Sequence, residues 1–186
     1  MKVSLGISNH HVHLNDEDYK ILFKDTKMEV RNMLTQPDQF ASNLTVDIEG
    51  PKKKLEKIRV LGPNRDYTQV EVSKTDCYKL GIDPPVRDSG DLKGSSIVKI
   101  IGPYGVVEKE CAIIATRHIH VDKNIIKEKG LEGIKEVSIR IEGEKSGIIE
   151  HVHLKETENA NFELHLDTDD ANAFLLKQGD IVEIIF

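Results

Sequence analysis

The sequence predicts a mainly β protein with short α-helices, built as two tandem small β-barrels from an internal duplication with the active site between them. Three observations support this fold class. Many short strand-like segments are separated by Gly/Pro turns, the helical segments are short and begin at capping residues, and the same order of elements occurs twice. A doubly wound sheet would instead alternate strands with longer helices.

The composition of the chain argues against several classes of protein. The chain has 186 residues, of which 38% are hydrophobic, and a formal net charge of -6, which argues against nonspecific binding to nucleic acid or to an anionic membrane. No apolar run has the length of a membrane span, and no segment resembles a signal peptide, so we expect a cytoplasmic protein. Cys77 and Cys111 are too few for a disulfide framework, and we interpret both as buried or incidental thiols.

Two short histidine-containing stretches organise the chain. In Ser-Asn-His-His-Val-His-Leu, residues 8–14, His11 and His13 are spaced i and i+2, which places both imidazoles on one face of a strand. Asn15 then begins a short helix, residues 67–73 alternate as a strand with Glu71 on the polar face, and Ser73 or Thr75 begins a helix that closes at Gly81.

The second half repeats this order. Its parts are Ala-Thr-Arg-His-Ile-His-Val with His118 and His120, a helix from Asp122 to Gly130, an alternating strand at 162–166, and a helix begun by Thr168-Asp169 that closes at Gly179. We divide the chain into a first repeat over 1–92 and a second over 93–186, with an approximate boundary in the Pro/Gly-rich segment 84–94 and with exchange of a terminal strand between the barrels left open.

Aligning the two repeats places Glu71 opposite His165. Each repeat then contributes three potential metal ligands, and Glu71 has two oxygens with which to bridge two ions. Imidazole donors suit Zn²⁺ or another late divalent ion. A third pair, His151 and His153, has no third donor beside it in the sequence, and we interpret it as a solvent-facing strand.

Seven motifs together resemble the phosphate propanoyltransferase family, the PduL-type phosphotransacylases. They are Ser8-Asn-His-His-Val-His-Leu14, Gln36-Pro-Asp-Gln-Phe40, Ile58-Arg-Val-Leu-Gly-Pro63, Thr68-Gln-Val-Glu-Val-Ser73, Pro85-Val-Arg-Asp-Ser-Gly-Asp91, Arg117-His-Ile-His120 and His165-Leu-Asp-Thr-Asp-Asp-Ala-Asn172. The sequence departs from the family at His10, where the family commonly carries arginine.

The resemblance implies an acyltransferase that interconverts acyl-CoA (propanoyl-CoA or acetyl-CoA) plus phosphate with acyl phosphate plus CoA. It implies two Zn²⁺ ions bound by the six donors His11, His13, Glu71, His118, His120 and His165. It also implies that Arg65 binds the phosphate and acts in catalysis with Glu71, and that coenzyme A contacts Ser8, Arg59, Leu61 and Asn172. Packaged family members carry an N-terminal microcompartment-targeting extension, and with a first strand at about Val3 we expect none here.

The expected mechanism is direct attack of metal-bound phosphate on the thioester, without an acyl-enzyme. Two alternatives stay open: a binuclear metal hydrolase of a thioester or phosphate ester, and a noncatalytic module that binds metal or a partner. The residues do not decide the acyl chain preference, the direction of the reaction, the native metal, or whether the protein is a homo-oligomer.

Overall fold

The computed structural model describes residues 1–186, which divide into two compact units. We call His10–Ala115 the first barrel, and Met1–Asn9 together with Thr116–Phe186 the second barrel. Each unit contains one closed ring of six strands, so the predicted mainly β fold of two small barrels is confirmed.

The first barrel contains eight strands and two helices. They are β2 (His11–His13), α1 (Asp16–Phe23), β3 (Val30–Met33), β4 (Phe40–Glu49), β5 (Lys54–Gly62), β6 (Gln69–Glu71), α2 (Lys74–Leu80), β7 (Val86–Arg87), β8 (Ser96–Ile101) and β9 (Val106–Ala115). The ring runs β4-β5-β2-β6-β9-β8 and closes where β8 pairs with β4, while β3 and β7 add to it at the edges.

The second barrel contains six strands and two helices. They are β1 (Lys2–Ser8), β10 (His118–Val121), α3 (Lys123–Glu128), β11 (Glu136–Ile141), β12 (Gly147–Glu156), β13 (Glu163–Asp167), α4 (Thr168–Ala173) and β14 (Ile181–Ile185). The closed order is β1-β13-β10-β12-β11-β14.

The strand that precedes each His-x-His pair lies in the barrel of the other pair. The strand β1 leads into β2 along the chain, yet it pairs with β13 and β14 of the second barrel. The strand β9 leads into β10, yet it pairs with β6 and β8 of the first barrel. The registers are equivalent, because Ile113 of β9 is opposite Glu71 and Gly6 of β1 is opposite His165. The exchange is therefore reciprocal.

This exchange explains why the division differs from the expected boundary at residue 92. The Pro/Gly-rich segment 84–94 connects α2 to β8 within the first barrel, and the apolar side chains Val98 and Ile100 of β8 are buried in the core of that barrel. The chain passes from one unit to the other at residues 9–10 and 115–116 instead.

Alternating strands supply both cores. Val12, Val60 and Val70 are buried in the first barrel, while Ile119 and Leu164 occupy the corresponding places in the second. Full burial of each such side chain contributes roughly 1.5–3 kcal/mol. Since neighbouring residues on a strand face opposite ways, the histidines on β2 and β10 are directed away from these cores.

The helix starts follow the predicted caps with one correction. Asn15, Ser73 and Asp122 each accept a hydrogen bond from a backbone N–H in the first turn of the helix that follows. The fourth helix is capped by Asp167 rather than by Thr168-Asp169, because Asp167 is extended and its side chain accepts the Asp170 N–H.

Two predicted helix ends were too late in the chain. The helix α3 ends at Glu128, and α4 ends at Ala173, six residues before Gly179. Gly81, in contrast, lies in the left-handed conformation at the end of α2 as predicted. None of the four helices has the length and hydropathy of a segment that could span a membrane.

Candidate metal centres

The first barrel brings His11, His13 and Glu71 together. The strand β6 pairs antiparallel with β2, and its register places Glu71 directly opposite His11. The ligand atoms of the three side chains lie within 4.8 Å of one another, and Glu71 Oε2 is 3.4 Å from His11 Nε2. Both histidines are buried. The three donors predicted for the first repeat therefore form one group.

The second barrel brings His118, His120 and His165 together in the same way. The strand β13 pairs antiparallel with β10, and His165 lies opposite His118. The three ligand atoms again lie within 4.8 Å of one another. The predicted equivalence of Glu71 and His165 is thus confirmed by register, since each faces the first histidine of its His-x-His pair.

The donor chemistry of the second group fits a divalent metal ion. His118 Nδ1 donates to the Thr116 carbonyl at 2.8 Å, which leaves its Nε2 with a lone pair. His120 Nδ1 is 3.2 Å from the Thr157 hydroxyl, whose own hydrogen is directed to the Lys155 carbonyl. The Nε2 atoms of His118 and His120 are 3.2 Å apart. Two imidazole nitrogens this close are compatible with a shared proton or with a cation bound by both.

A hydrogen-bonded relay joins Glu71 to Arg65 in the first barrel. Gln69 Nε2 donates to Glu71 Oε1 at 2.7 Å and to Ser89 Oγ at 2.9 Å. Ser89 Oγ also accepts from Arg65 Nη1 at 3.0 Å. Sequence analysis selected Arg65 and Glu71 as separate site residues. In the structure one hydrogen-bond network connects them through Gln69 and Ser89, which sequence analysis did not select.

Two further side chains orient Arg65. Its guanidinium donates to the Tyr67 hydroxyl at 3.1 Å and to Gln39 Oε1 at 3.4 Å, and its backbone N–H donates to the Leu14 carbonyl, next to His13. All of these acceptors are neutral. A guanidinium held by neutral partners keeps its charge available for an anion.

A hydrogen bond between a basic side chain and an aspartate lies beside each group at the same place. His10, the residue before His11, bonds Asp76 at 2.9 Å, and Arg117, the residue before His118, grips Asp170 through two contacts of 2.7 Å. Hydrogen bonding to Asp170 raises the pKa of Arg117. Burial alone would raise the pKa of Asp76, but hydrogen bonding and charge from His10 outweigh it and lower that pKa. His10 thus makes the contact that Arg117 makes in the other repeat.

The residues expected to contact coenzyme A lie at two places. Arg59 and Leu61 of β5 are opposite His11 and His13. Arg59 donates to the Ser42 and Leu44 carbonyls, and desolvation, followed by repulsion from Arg31, lowers its pKa. In the second barrel, Ser8 ends β1 opposite Asp167, and Asn172 lies on α4, the helix that Asp167 caps.

Other candidate chemistry lies outside these groups. His151 is exposed, and it shares Glu136 with His153 at 3.1 and 3.3 Å. Cys77 and Cys111 are both buried, and burial raises the pKa of their thiols to about 11 and about 12. Neither thiol supplies a thiolate near neutral pH.

The fold and the two donor groups define a class of protein, a duplicated β-barrel chain with one three-donor group suited to a metal ion in each copy. The phosphate propanoyltransferase family model matches residues 4–177. The chain therefore belongs to the phosphate propanoyltransferase family, whose members are acyltransferases.

Individual relatives are similar in sequence to this chain over nearly its whole length. The chain is 44% identical to a phosphate propanoyltransferase of Thermotoga maritima over 186 residues, which cover 98% of this chain and 89% of the relative. It is 42% identical to that of Rhodopseudomonas palustris, covering 98% and 82%, and 44% identical to that of Priestia megaterium, covering 96% and 83%.

Proposed function

We propose that this protein is a phosphotransacylase that converts propanoyl-CoA or acetyl-CoA plus phosphate to the acyl phosphate plus CoA, and the reverse, with two Zn²⁺ ions as cofactors. The observation that carries the proposal is the pair of three-donor groups, one of which is joined by hydrogen bonds to Arg65. Family membership supports the reaction type. The predictions that both groups serve one active site and that the protein is cytoplasmic stay predictions.

The donor sets support one ion for each group. His11, His13 and Glu71 would hold one, and His118, His120 and His165 the other. When bound, such ions would supply Lewis-acid chemistry, which offsets the charge of phosphate and of an oxyanion.

In this proposal, Arg65 binds and orients the phosphate through its guanidinium. Its neutral partners Tyr67, Ser89 and Gln39 fix the direction of the guanidinium. A phosphate oxygen attacks the thioester carbonyl carbon, the C–S bond breaks, and the sulfur leaves as the CoA thiolate, which takes a proton from solvent. Arg59, Leu61, Ser8 and Asn172 are the proposed coenzyme A contacts.

Direct attack needs no acyl-enzyme, and the buried, protonated cysteines support this route. Incubating the enzyme with propanoyl-CoA in the absence of phosphate should leave the intact mass of the chain unchanged. A propanoyl adduct that later reacts with phosphate would contradict direct attack.

The deciding experiment measures release of CoA thiol from propanoyl-CoA with and without phosphate, alongside metal analysis of the same sample. We expect two Zn²⁺ per chain and thiol release that requires phosphate. Equal thiol release without phosphate would instead identify a binuclear hydrolase, and no turnover would favour a noncatalytic binding module. Glu71→Ala and His165→Ala should each abolish transfer in a folded protein, and Glu150→Gln on the exposed face of β12 serves as the control.

A further inference from the structure

We propose that Gln69 and Glu163 are equivalent positioning residues. Gln69 fixes Glu71, and Glu163 fixes His165, each through a hydrogen bond in the direction that the metal-binding side chain requires. The inference rests on the proposed function, because it takes the two three-donor groups to be metal sites. It concerns two residues outside the proposed ligand set.

The two residues occupy equivalent positions. Gln69 lies opposite His13 in the pairing of β2 with β6, and Glu163 lies opposite His120 in the pairing of β10 with β13. Each precedes the third donor of its group by two residues and so shares its face of the strand. Both are buried, with 0% of Gln69 and 5% of Glu163 exposed.

Each residue hydrogen-bonds the third metal-binding side chain of its group, but the direction of the hydrogen bond differs. Gln69 donates, whereas Glu163 accepts. In the first barrel the metal-binding side chain is the carboxylate of Glu71, and Gln69 Nε2 donates to its Oε1 at 2.7 Å. In the second barrel the metal-binding side chain is an imidazole, and Glu163 Oε2 is 2.8 Å from His165 Nε2, where a carboxylate oxygen can accept the ring N–H. A carboxylate ligand needs a donor beside it and an imidazole ligand needs an acceptor. Each copy provides the matching type.

The orientation of Gln69 is determined by the loop beside it. The Gly90 backbone N–H donates to Gln69 Oε1 at 2.8 Å, so the amide NH₂ must face Glu71 and Ser89. Glu71 Oε1 is thereby occupied, and Oε2 is the oxygen that faces His11 Nε2. Gln69 therefore determines that Oε2 of Glu71 is the oxygen directed toward the two histidines.

The space around Glu163 is equally specific. A Cβ atom at Gly6 would lie 3.0 Å from Glu163 Cδ, 3.1 Å from its Oε2 and 3.1 Å from His165 Cδ2. The absence of a side chain at position 6 thus leaves room for the bonded pair. With its Nε2–H donated to Glu163, the other ring nitrogen of His165 carries the lone pair that a metal ion would bind.

The test replaces the hydrogen-bond donor Gln69 by an acceptor in the first barrel. Metal affinity is measured by competition between the protein and a chromophoric chelator for Zn²⁺. In the wild-type background, Gln69→Glu opposes two carboxylates and should weaken Zn²⁺ binding about tenfold or more. In a Glu71→His background, Gln69→Glu recreates the pair of the second barrel and should strengthen binding by a similar factor. This reversal of sign is the expected result.

The alternatives predict no reversal. If Gln69 only filled space, Gln69→Glu would leave Zn²⁺ binding unchanged in both backgrounds, because the two side chains have nearly the same shape. If added negative charge alone mattered, the substitution would strengthen binding in both. Either result overturns the inference. Gln178→Glu is the matched control, since the new carboxylate can still accept from the Ile7 N–H and should leave Zn²⁺ affinity unchanged.

The second barrel provides an independent version if the first-barrel variants do not fold. Glu163→Gln should weaken Zn²⁺ binding in the wild-type background and strengthen it when His165 is replaced by Glu. Wild-type protein that binds two Zn²⁺ ions, with no reversal in either barrel, would overturn this inference alone. Wild-type protein that binds no metal would overturn the proposed metal centres and the inference with them.

Discussion

Replacing Gly6 by alanine should weaken metal binding in the second barrel by crowding alone. The added methyl would be 3.0–3.1 Å from Glu163 and His165, where ordinary contacts are 3.4–4 Å, so the pair must shift by a few tenths of an ångström. Such overpacking costs roughly 1–3 kcal/mol. Because the crowded atoms belong to the Glu163–His165 bond itself, we expect about a tenfold loss of affinity at one of the two metal sites, equivalent to about 1.4 kcal/mol.

The assay is a Zn²⁺ competition titration of Gly6→Ala, supported by urea unfolding of the metal-free protein. Ser4→Ala is the control, because it changes the same strand two residues earlier without adding volume. In a Glu163→Ala background the Gly6 substitution should have a much smaller effect, since two of the three close contacts are gone. Equal losses of affinity in both backgrounds would refute this reasoning, as would affinity in Gly6→Ala within twofold of wild type.

Three other predictions concern phosphate, the thiols and the core. Arg65→Lys should raise the KM for phosphate about tenfold to a hundredfold with a smaller change in the KM for propanoyl-CoA, because lysine lacks the fork that grips two phosphate oxygens; initial-rate kinetics will measure both constants. Cys77 and Cys111 should resist a thiol reagent at pH 8 and react after unfolding, since their pKa values of about 11 and about 12 keep them protonated in the folded protein, and fast reaction of the native protein would contradict this. Leu164→Ala, at a fully buried position, should lower the free energy of unfolding by about 2–5 kcal/mol in urea titrations, and a loss below 1 kcal/mol would show that the core relaxes around the cavity.

The duplication made much of the candidate site predictable from sequence. The spacing of His11 and His13 predicts their shared face, and the alignment of the repeats predicts His165 as the equivalent of Glu71, in agreement with the family resemblance. This worked because a strand has a period of two residues, so the face of each side chain follows from its position. The register of β10 with β13 then placed His165 opposite His118.

The hydrogen-bonding partners of the ligands were harder to predict. Gln69 and Glu163 were each visible as polar residues on the face of the third donor, but nothing in a single strand distinguishes such a residue from a solvated one. Comparing the two repeats would have revealed them, since both have a polar residue at the same offset. Ser89 had no such signal, because it reaches Gln69 from a loop 20 residues away in sequence.

The sequence leaves open which barrel contains the first strand. Val3 and Leu5 alternate with polar or small residues in a way that suits either barrel, and an apolar pattern specifies which side chains are buried without naming the neighbouring strand. The Pro/Gly-rich segment 84–94 predicts a boundary because such residues occur in both turns and linkers. Here it is an internal loop of the first barrel.

The location of β1 has a consequence for how the chain reaches its native state during synthesis. The ribosome makes β1 long before its neighbours β13 and β14, which lie at residues 163–167 and 181–185. All partners of β9, in contrast, precede it or are close to it in sequence. The first barrel can therefore form while translation continues, whereas the second must wait until β13 and β14 have been made. Until then β1 is exposed as an unpaired edge.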